Sequence, residues 1–363
     1  MGGDKRVSTA IEESVAIESL IKAQAFGLGF DLVGITTLGP METADHFDEW
    51  IERGFAGEMD YLRRGAEKRR DSRLPLDGAT HAVVVGLSYG GREPSGPVAR
   101  YARGDDYHDV MTRKLCELHR WLESELGRSI AGKPYVDTGP ILERDLARRA
   151  GLGWIGKNTN LINPRIGSFF FIGALLVDVE LEPDSPFEAD RCGSCTRCLD
   201  ACPTDAFVDE RVLDARKCIS YLTIEAKGGI PDEFRDRIGE LVYGCDICQE
   251  VCPWNIRFAQ ELAEDAFGPR DVFNNRSALQ LGRELLAMSE EAYRQTFKGS
   301  PMKRAKRRGL ARNAAVVLGN LGNESDFPLL QTVCASSEPM LSEHSDWAMR
   351  RIVARTKREA TPE

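Results

Sequence analysis

The strongest constraint on this 363-residue chain is its cysteine placement: eight of its ten cysteines fall between Cys192 and Cys252. The first run is Cys192-x2-Cys195-x2-Cys198-x3-Cys202-Pro203, and the second is Cys245-x2-Cys248-x3-Cys252-Pro253, with Cys218 between them. Two-residue spacers let one loop reach three corners of a cubane, while the cysteine before the proline turns away to serve the other cluster. Two [4Fe–4S] clusters need eight thiolates, and Cys218 completes the second set. By this crossed pattern Cys192, Cys195, Cys198 and Cys252 hold one cluster, and Cys202, Cys218, Cys245 and Cys248 hold the other. Two structural zinc sites compete with this reading, but zinc has no need of a repeated x3-Cys-Pro ending. Clusters pass electrons singly, so the reaction centre is expected elsewhere in the chain. Cys116, inside a helical pattern, and Cys334 read as buried apolar thiols.

Length argues for two or three domains rather than one core. The net charge of −9 argues against general nucleic-acid affinity, although screening keeps a local basic patch effective over about 8–10 Å. The longest apolar run, Phe169 to Val177, is far short of the roughly 20 residues that span a bilayer. The start, Met1-Gly2-Gly3-Asp4-Lys5-Arg6, leads into Glu12 and Glu13 and carries neither a Sec nor a twin-arginine pattern, so a cytoplasmic protein without a membrane partner is expected. Reduced thiols suit that compartment better than a disulfide framework does.

Apolar spacing predicts a helix over Ala10–Gly27 (Ile11, Val15, Ile17, Leu20, Ile21), a strand over Phe30–Ile35 and another over His81–Leu87. A second helix is expected over Met111–Leu126, a short strand end at Tyr135-Val136-Asp137, a helix over Pro140–Ala150 stopped by Gly151, and an apolar strand within Ser168–Val179. This alternation indicates an α/β domain over 1–185. Pro183-Asp184-Ser185-Pro186 reads as a linker, 186–262 as the cluster domain and 263–363 as a helical module. In that module Leu310–Leu318, Phe327–Cys334 and Leu341–Ala354 pattern as helices around short turns, in the manner of α-solenoid repeats.

Two motifs are decoys. Gly151-x-Gly153-x-x-Gly156 follows a helix and precedes an extended segment, the reverse of a dinucleotide fingerprint. Asp106-Tyr107-His108-Asp109-Val110-Met111 starts like a D-x-H-x-x-G cobalamin-ligand motif but has Met111 in place of glycine, so a histidine ligand to cobalt is not supported.

Several segments together resemble the epoxyqueuosine reductase family along essentially the whole chain. They are Ala56-Gly57-Glu58-Met59, Tyr135 to Pro140 (YVDTGP), Gly151 to Thr159 (GLGWIGKNT), Gly167 to Phe170 (GSFF), the two cysteine runs, Lys217 to Thr223 (KCISYLT), Gln249 to Asn255 (QEVCPWN), and Arg304 to Arg307 with Arg312-Asn313. The chain departs from the pattern at Asn160, where an apolar residue is expected. The resemblance implies a nitroreductase-like α/β domain holding base-off cobalamin, a ferredoxin-like double-cluster domain and a C-terminal HEAT-like helical module. It implies reduction of epoxyqueuosine in the anticodon loop of tRNA to queuosine. The clusters would feed the cobalt, an external flavodoxin- or ferredoxin-like protein would feed the clusters, and the enzyme would act as a monomer. Corrinoid reductive dehalogenases and a plain ferredoxin-type carrier are the alternative readings, and a carrier has no use for a large α/β domain.

The resemblance makes Asp137 the candidate general acid, with a carboxyl pKa raised by burial. On residues alone a turn-forming aspartate before Thr138-Gly139-Pro140 is equally open. Lys157, Asn158 and Thr159, in the Gly-rich loop, are candidates to cradle the cobalamin tail or a phosphate, against the plainer reading of a solvated tight turn. Gly57, Tyr101, Asp137, Ser168, Ser220 and Asp246 are further cofactor-binding candidates, and Trp154 and Trp254 either stack on a ring or pack in the core. Lys298 to Arg312 holds seven basic residues and no acid. Within it Lys303, Arg304, Lys306, Arg307 and Arg308 are the candidate tRNA phosphate contacts, against a solvated helix face.

Overall fold

A computed structural model describes residues 16–359. The strands are β1 (Leu32–Thr37), β2 (His81–Ser88), β3 (Gly132–Tyr135), β4 (Trp154–Ile155), β5 (Leu161–Ile162), β6 (Phe170–Val177), β7 (Phe207–Asp209) and β8 (Val212–Leu213). The main sheet runs β1-β2-β6-β3, and each neighbouring pair is antiparallel. Helices and strands thus alternate in sequence without building a parallel sheet. The first helix runs over Ile17–Gly27, and Ile11 and Val15 of the expected helix lie outside the described residues.

Every residue of β2 is buried, because the sheet is covered on both faces. Period-two alternation divides the strand. Val83, Val85 and Leu87 join Phe171, Leu175 and Val177 of β6 beneath Met111, Leu115, Leu118 and Leu122. Ala82 and Val84 join Phe170, Ala174 and Leu176 over Leu146 and Ala147 on the opposite face. The four helix residues lie on Tyr107–Leu126, which starts at an Asp106 cap accepting from the His108 amide and stops at Gly127, φ +62°. The helix Glu143–Arg149 covers the other face.

Gly153 explains the decoy glycine motif. A Cβ there would sit 2.2 Å from the Ile162 carbonyl oxygen, so the β4–β5 hairpin can close only on a glycine. The C-terminal helices Ala278–Ala287, Lys306–Leu321, Phe327–Cys334 and Pro339–Glu359 share one core built on Leu281, Leu285, Ala314, Val317, Leu330 and Ile352. Val98, Ala102, Ile219, Val242 and Tyr243 enter that same core, so the cysteine-rich segment packs directly on the helices. Among the described residues no helix is long and apolar enough to cross a membrane.

Candidate active site and metal centres

All ten cysteines are free thiols. Cys192, Cys195, Cys198 and Cys252 line one cavity of about 170 Å³ together with Lys157, Asn158 and Trp254. The Cys198 thiol is pushed up to about 11 by burial and by the charges of Cys252, Cys192 and Cys195. Burial pushes Cys245 up to about 12, helped by Cys218 and Cys202. It also lifts Cys248 well above the usual thiol value, helped by Cys245 and Cys218. Four thiols thus line one cavity, and Cys202, Cys218, Cys245 and Cys248 lie close enough to act on one another. Four gathered thiolates repel one another and need a polycation between them, and such a group is the donor set of an iron–sulfur cluster. Among the described residues no group of three or more His, Cys, Asp or Glu side chains could hold a single metal ion. Cys116 and Cys334 are half-buried rather than buried.

The second site is a pocket of about 220 Å³ lined by Tyr89, Tyr107, Asp137, Glu143, Arg144 and Phe171, with Ser168, Asn160 and Leu161. Its floor follows from the sheet. Phe171 projects from β6, and Tyr107, the first residue of its helix, stacks on it with centroids 4.1 Å apart and planes 5° apart. The Tyr107 hydroxyl donates to Asp137 Oδ2 at 2.7 Å. His108 stacks on Tyr107, shares a 2.6 Å contact between Nδ1 and Asp106, and places Nε2 3.5 Å from Asp137 Oδ2.

Asp137 lies just beyond β3 in the left-handed region, φ +58°, and its side chain is 67% exposed to the open pocket. The surrounding protein pushes its carboxyl up, but His108, Tyr107 and Arg144 outweigh that and hold it below the usual carboxylate range. The protein groups alone thus act in the direction opposite to the rise expected from burial beside a corrin. The proton resides on the neighbour. Burial works against the His108 imidazolium, yet Asp106 and Asp137 lift it to about 9. Glu143 is raised to about 8 by burial, with the Asp137 charge adding to the effect.

The other expected site residues are distributed differently. Ser168 lines the Asp137 pocket and is fixed from behind, donating to Gln249 Oε1 at 2.8 Å and accepting from Asn255 Nδ2 at 2.9 Å. Tyr101 stands one layer back, edge-on to Tyr107. Lys157 and Asn158 go to the cluster cavity instead. Lys157 is buried and pairs with Glu210 at 2.7 Å, while Asn158 donates to the Cys248 carbonyl at 3.2 Å. Thr159 has φ +66°, and its carbonyl accepts from Arg144. Ser220 hydrogen-bonds the Cys218 thiol, and Asp246 accepts from the Arg100 amide at 2.8 Å. Gly57, φ +56°, has room for no Cβ, which would meet the Tyr221 hydroxyl at 2.4 Å. Trp154 and Trp254 pack edge-on with centroids 5.0 Å apart, and the Trp154 indole donates to Cys192 Sγ at 3.4 Å. Sequence reasoning weighed His108 only as a cobalt ligand and passed over Tyr107, Glu143 and Arg144 as site residues; Tyr107 and His108 open the helix capped by Asp106, and Glu143 and Arg144 open a second helix.

The basic run meets acids from other segments. Arg304 forms a bidentate pair with Glu225 (2.8 Å twice) and lies 5.2 Å over the Tyr61 ring. Arg307 pairs with Glu290 and Glu338, and Arg308 pairs with Glu338. Lys303 and Lys306 are exposed. The charge of Lys303 acts on Asp106 and that of Asp137 on Arg304, which puts the start of the run near the pocket. Arg312 is buried, donating to the carbonyls of Leu222, Ala226 and Gly228.

Residues 191–255 match the family described as a 4Fe-4S double cluster binding domain, and residues 69–138 match the one described as Epoxyqueuosine reductase QueG, DUF1730. The epoxyqueuosine reductase of Pseudomonas aeruginosa is 40% identical over 89% of this chain and 91% of its own length. That of Escherichia coli is 38% identical over 92% and 89%. A crystal structure of epoxyqueuosine reductase with a tRNA-Tyr epoxyqueuosine-modified stem loop superposes with a TM-score of 0.83 at 32% identity, covering 93% of this chain and 90% of that one. On these matches the chain belongs to the epoxyqueuosine reductase family.

Proposed function

We propose that this chain removes the epoxide oxygen of epoxyqueuosine in a tRNA anticodon loop to leave queuosine, using cobalamin in the Asp137 pocket and two [4Fe–4S] clusters. The observation that carries the reading is the pocket itself, a proton-loaded polar cluster on an aromatic floor beside two gathered sets of thiols. A bare electron carrier needs only the thiols. The tRNA stem loop crystallised with a relative supports the substrate.

The pocket's donor set suits a corrin. Phe170, Phe171, Ile172 and Leu161 offer apolar surface to the macrocycle, and Ser168 and Asn160 offer polar groups to its amides. Cobalamin, when bound, supplies a metal of low potential that accepts electrons singly and delivers them to the substrate. The chain's own residues supply the rest. Phe171 and Tyr107 orient Asp137, and His108 stores the proton that Asp137 relays to the epoxide oxygen. That oxygen leaves far more readily protonated than as an alkoxide. In finer detail we read the sheet as a nitroreductase-like domain over 1–185, the cysteine-rich part as a ferredoxin-like domain over 186–262, and the helices over 263–363 as HEAT-like repeats that dock tRNA. The enzyme works as a cytoplasmic monomer served by a flavodoxin- or ferredoxin-like donor.

The test is anaerobic protein loaded with iron, sulfide and cobalamin, given a low-potential reductant and tRNA carrying epoxyqueuosine. Mass spectrometry of the digested nucleosides should show loss of one oxygen. Asp137→Ala should slow that loss by about 10²–10⁴-fold while the corrin absorption persists. Fully loaded wild-type protein that leaves the epoxide intact overturns the reading.

A further inference from the structure

Deoxygenating an epoxide to an alkene consumes two electrons and two protons and releases water. One proton is needed when the first C–O bond breaks and the oxygen becomes a hydroxyl. A second is needed when the other C–O bond breaks and that hydroxyl departs as water, while the electron pair left on carbon closes the C=C bond. The two electrons arrive through the clusters. The Asp137–His108 pair holds a single proton, because Asp137 is ionised when His108 is charged. A second donor is required within reach of the same oxygen.

We infer that Glu143 is this second proton donor, acting on the departing hydroxyl. The inference rests on the epoxide reduction proposed above. Glu143 lines the pocket with Asp137 and Arg144 at the start of the helix Glu143–Arg149. Its Oε1 is buried and has no hydrogen-bond partner among the described residues. This orphaned oxygen shares its pocket with Asp137, whose Oδ2 lies 3.5 Å from His108 Nε2. A buried polar atom left without a partner is costly, so one in a native fold calls for an explanation, and donating a proton to substrate is one. A neutral carboxyl oxygen costs less than a charged one, and the surroundings keep this one neutral. Burial is the main cause and the Asp137 charge adds to it, while the Glu143 amide, Arg144 and Arg69 act against them without restoring the ordinary carboxylate value. At pH 7 the pocket therefore holds two protons, one on His108 and one on Glu143, matching the number the reaction consumes. After turnover the Glu143 carboxylate recovers its proton from water entering the open pocket.

Glu143→Gln keeps the size and the neutral charge of the protonated side chain, so a packing role survives the change and a donor role does not. Loaded enzyme carrying Glu143→Gln should turn over about 10²-fold or more slowly with KM for the tRNA little changed. The wild-type kcat should fall as pH rises through about 8, where Glu143 loses its proton, and the variant should lack that limb. Infrared difference spectra of wild-type protein without substrate should show a protonated carboxyl stretch at pH 7 that titrates near 8 and is missing from the variant. Wild-type turnover in the same assay verifies the parent reaction separately. A variant matching wild type in kcat and pH profile, or no protonated carboxyl at pH 7, overturns the inference.

Discussion

Asp137 occupies a backbone region that costs a non-glycine residue about 1 kcal/mol or more, and it is held there by the Tyr107 hydroxyl and the charge of His108. The same two contacts hold its carboxyl low, while Asp106 and Asp137 together hold His108 high. His108 should therefore titrate near 9 by NMR of the labelled ring, well above the ordinary 6.5, and replacing either Asp106 or Asp137 with asparagine should bring it down. A histidine whose folded-state pKa is raised stabilises the fold fully below the unfolded value and loses that contribution as pH rises through the folded one. This contact should therefore support the fold at pH 6.5 and cease to do so between about 6.5 and 9. Titration of His108 at or below 6.5 in the wild type would show that the pocket stores no proton on this ring.

Among the elements, the helix Lys306–Leu321 and the 3-10 turn Pro301–Ala305 before it carry the basic run. The seven cations do not share one role. Arg312 holds backbone carbonyls in the core, Arg307 and Arg308 are matched by Glu290 and Glu338, and Lys303 and Lys306 face water. Neutralising Lys303 and Lys306 together should lower the salt slope of tRNA binding by about 0.7–0.9 per lost phosphate contact. Neutralising Arg307 and Arg308 should do less, since their acids already screen them. An unchanged slope in the lysine pair would make this surface a solvated face. The strands and long helices were legible from periodicity because β2, β6 and Tyr107–Leu126 bury regular faces. The double-cluster character of residues 191–255 was legible from cysteine spacing, because the motif is local in sequence. The pocket was only partly legible. Asp137 was marked by resemblance, but Tyr107, His108 and Glu143 reach it from a helix start and a second helix that only tertiary packing brings to the end of β3. The acids opposite the basic run were hidden for the same reason, since each comes from a distant segment.

At the scale of the whole molecule, the cysteine-rich segment is fastened on both sides. Toward the sheet, Asn255 and Gln249 bind Ser168, and Val98 bridges to Tyr243. Toward the helices, Arg312 and Asn313 donate to the carbonyls of Leu222, Thr223 and Val242. Between these attachments lie thiols whose ionised forms are disfavoured by burial and by one another, so their folded arrangement depends on metal charge. Reconstituted protein should bind about eight iron atoms per chain. Removing them should do more than melt a small module. The segment carrying the lost ligands also anchors β6 through Ser168 and the long helix through Arg312, and a buried arginine deprived of its carbonyls leaves an uncompensated charge in the core. Calorimetry of the loaded protein should show one main transition, and iron-stripped protein should show that whole transition moved to lower temperature. If stripping iron adds a small low-temperature step and leaves the main transition where it was, the clusters stabilise only their own loops and the three parts of the chain fold independently.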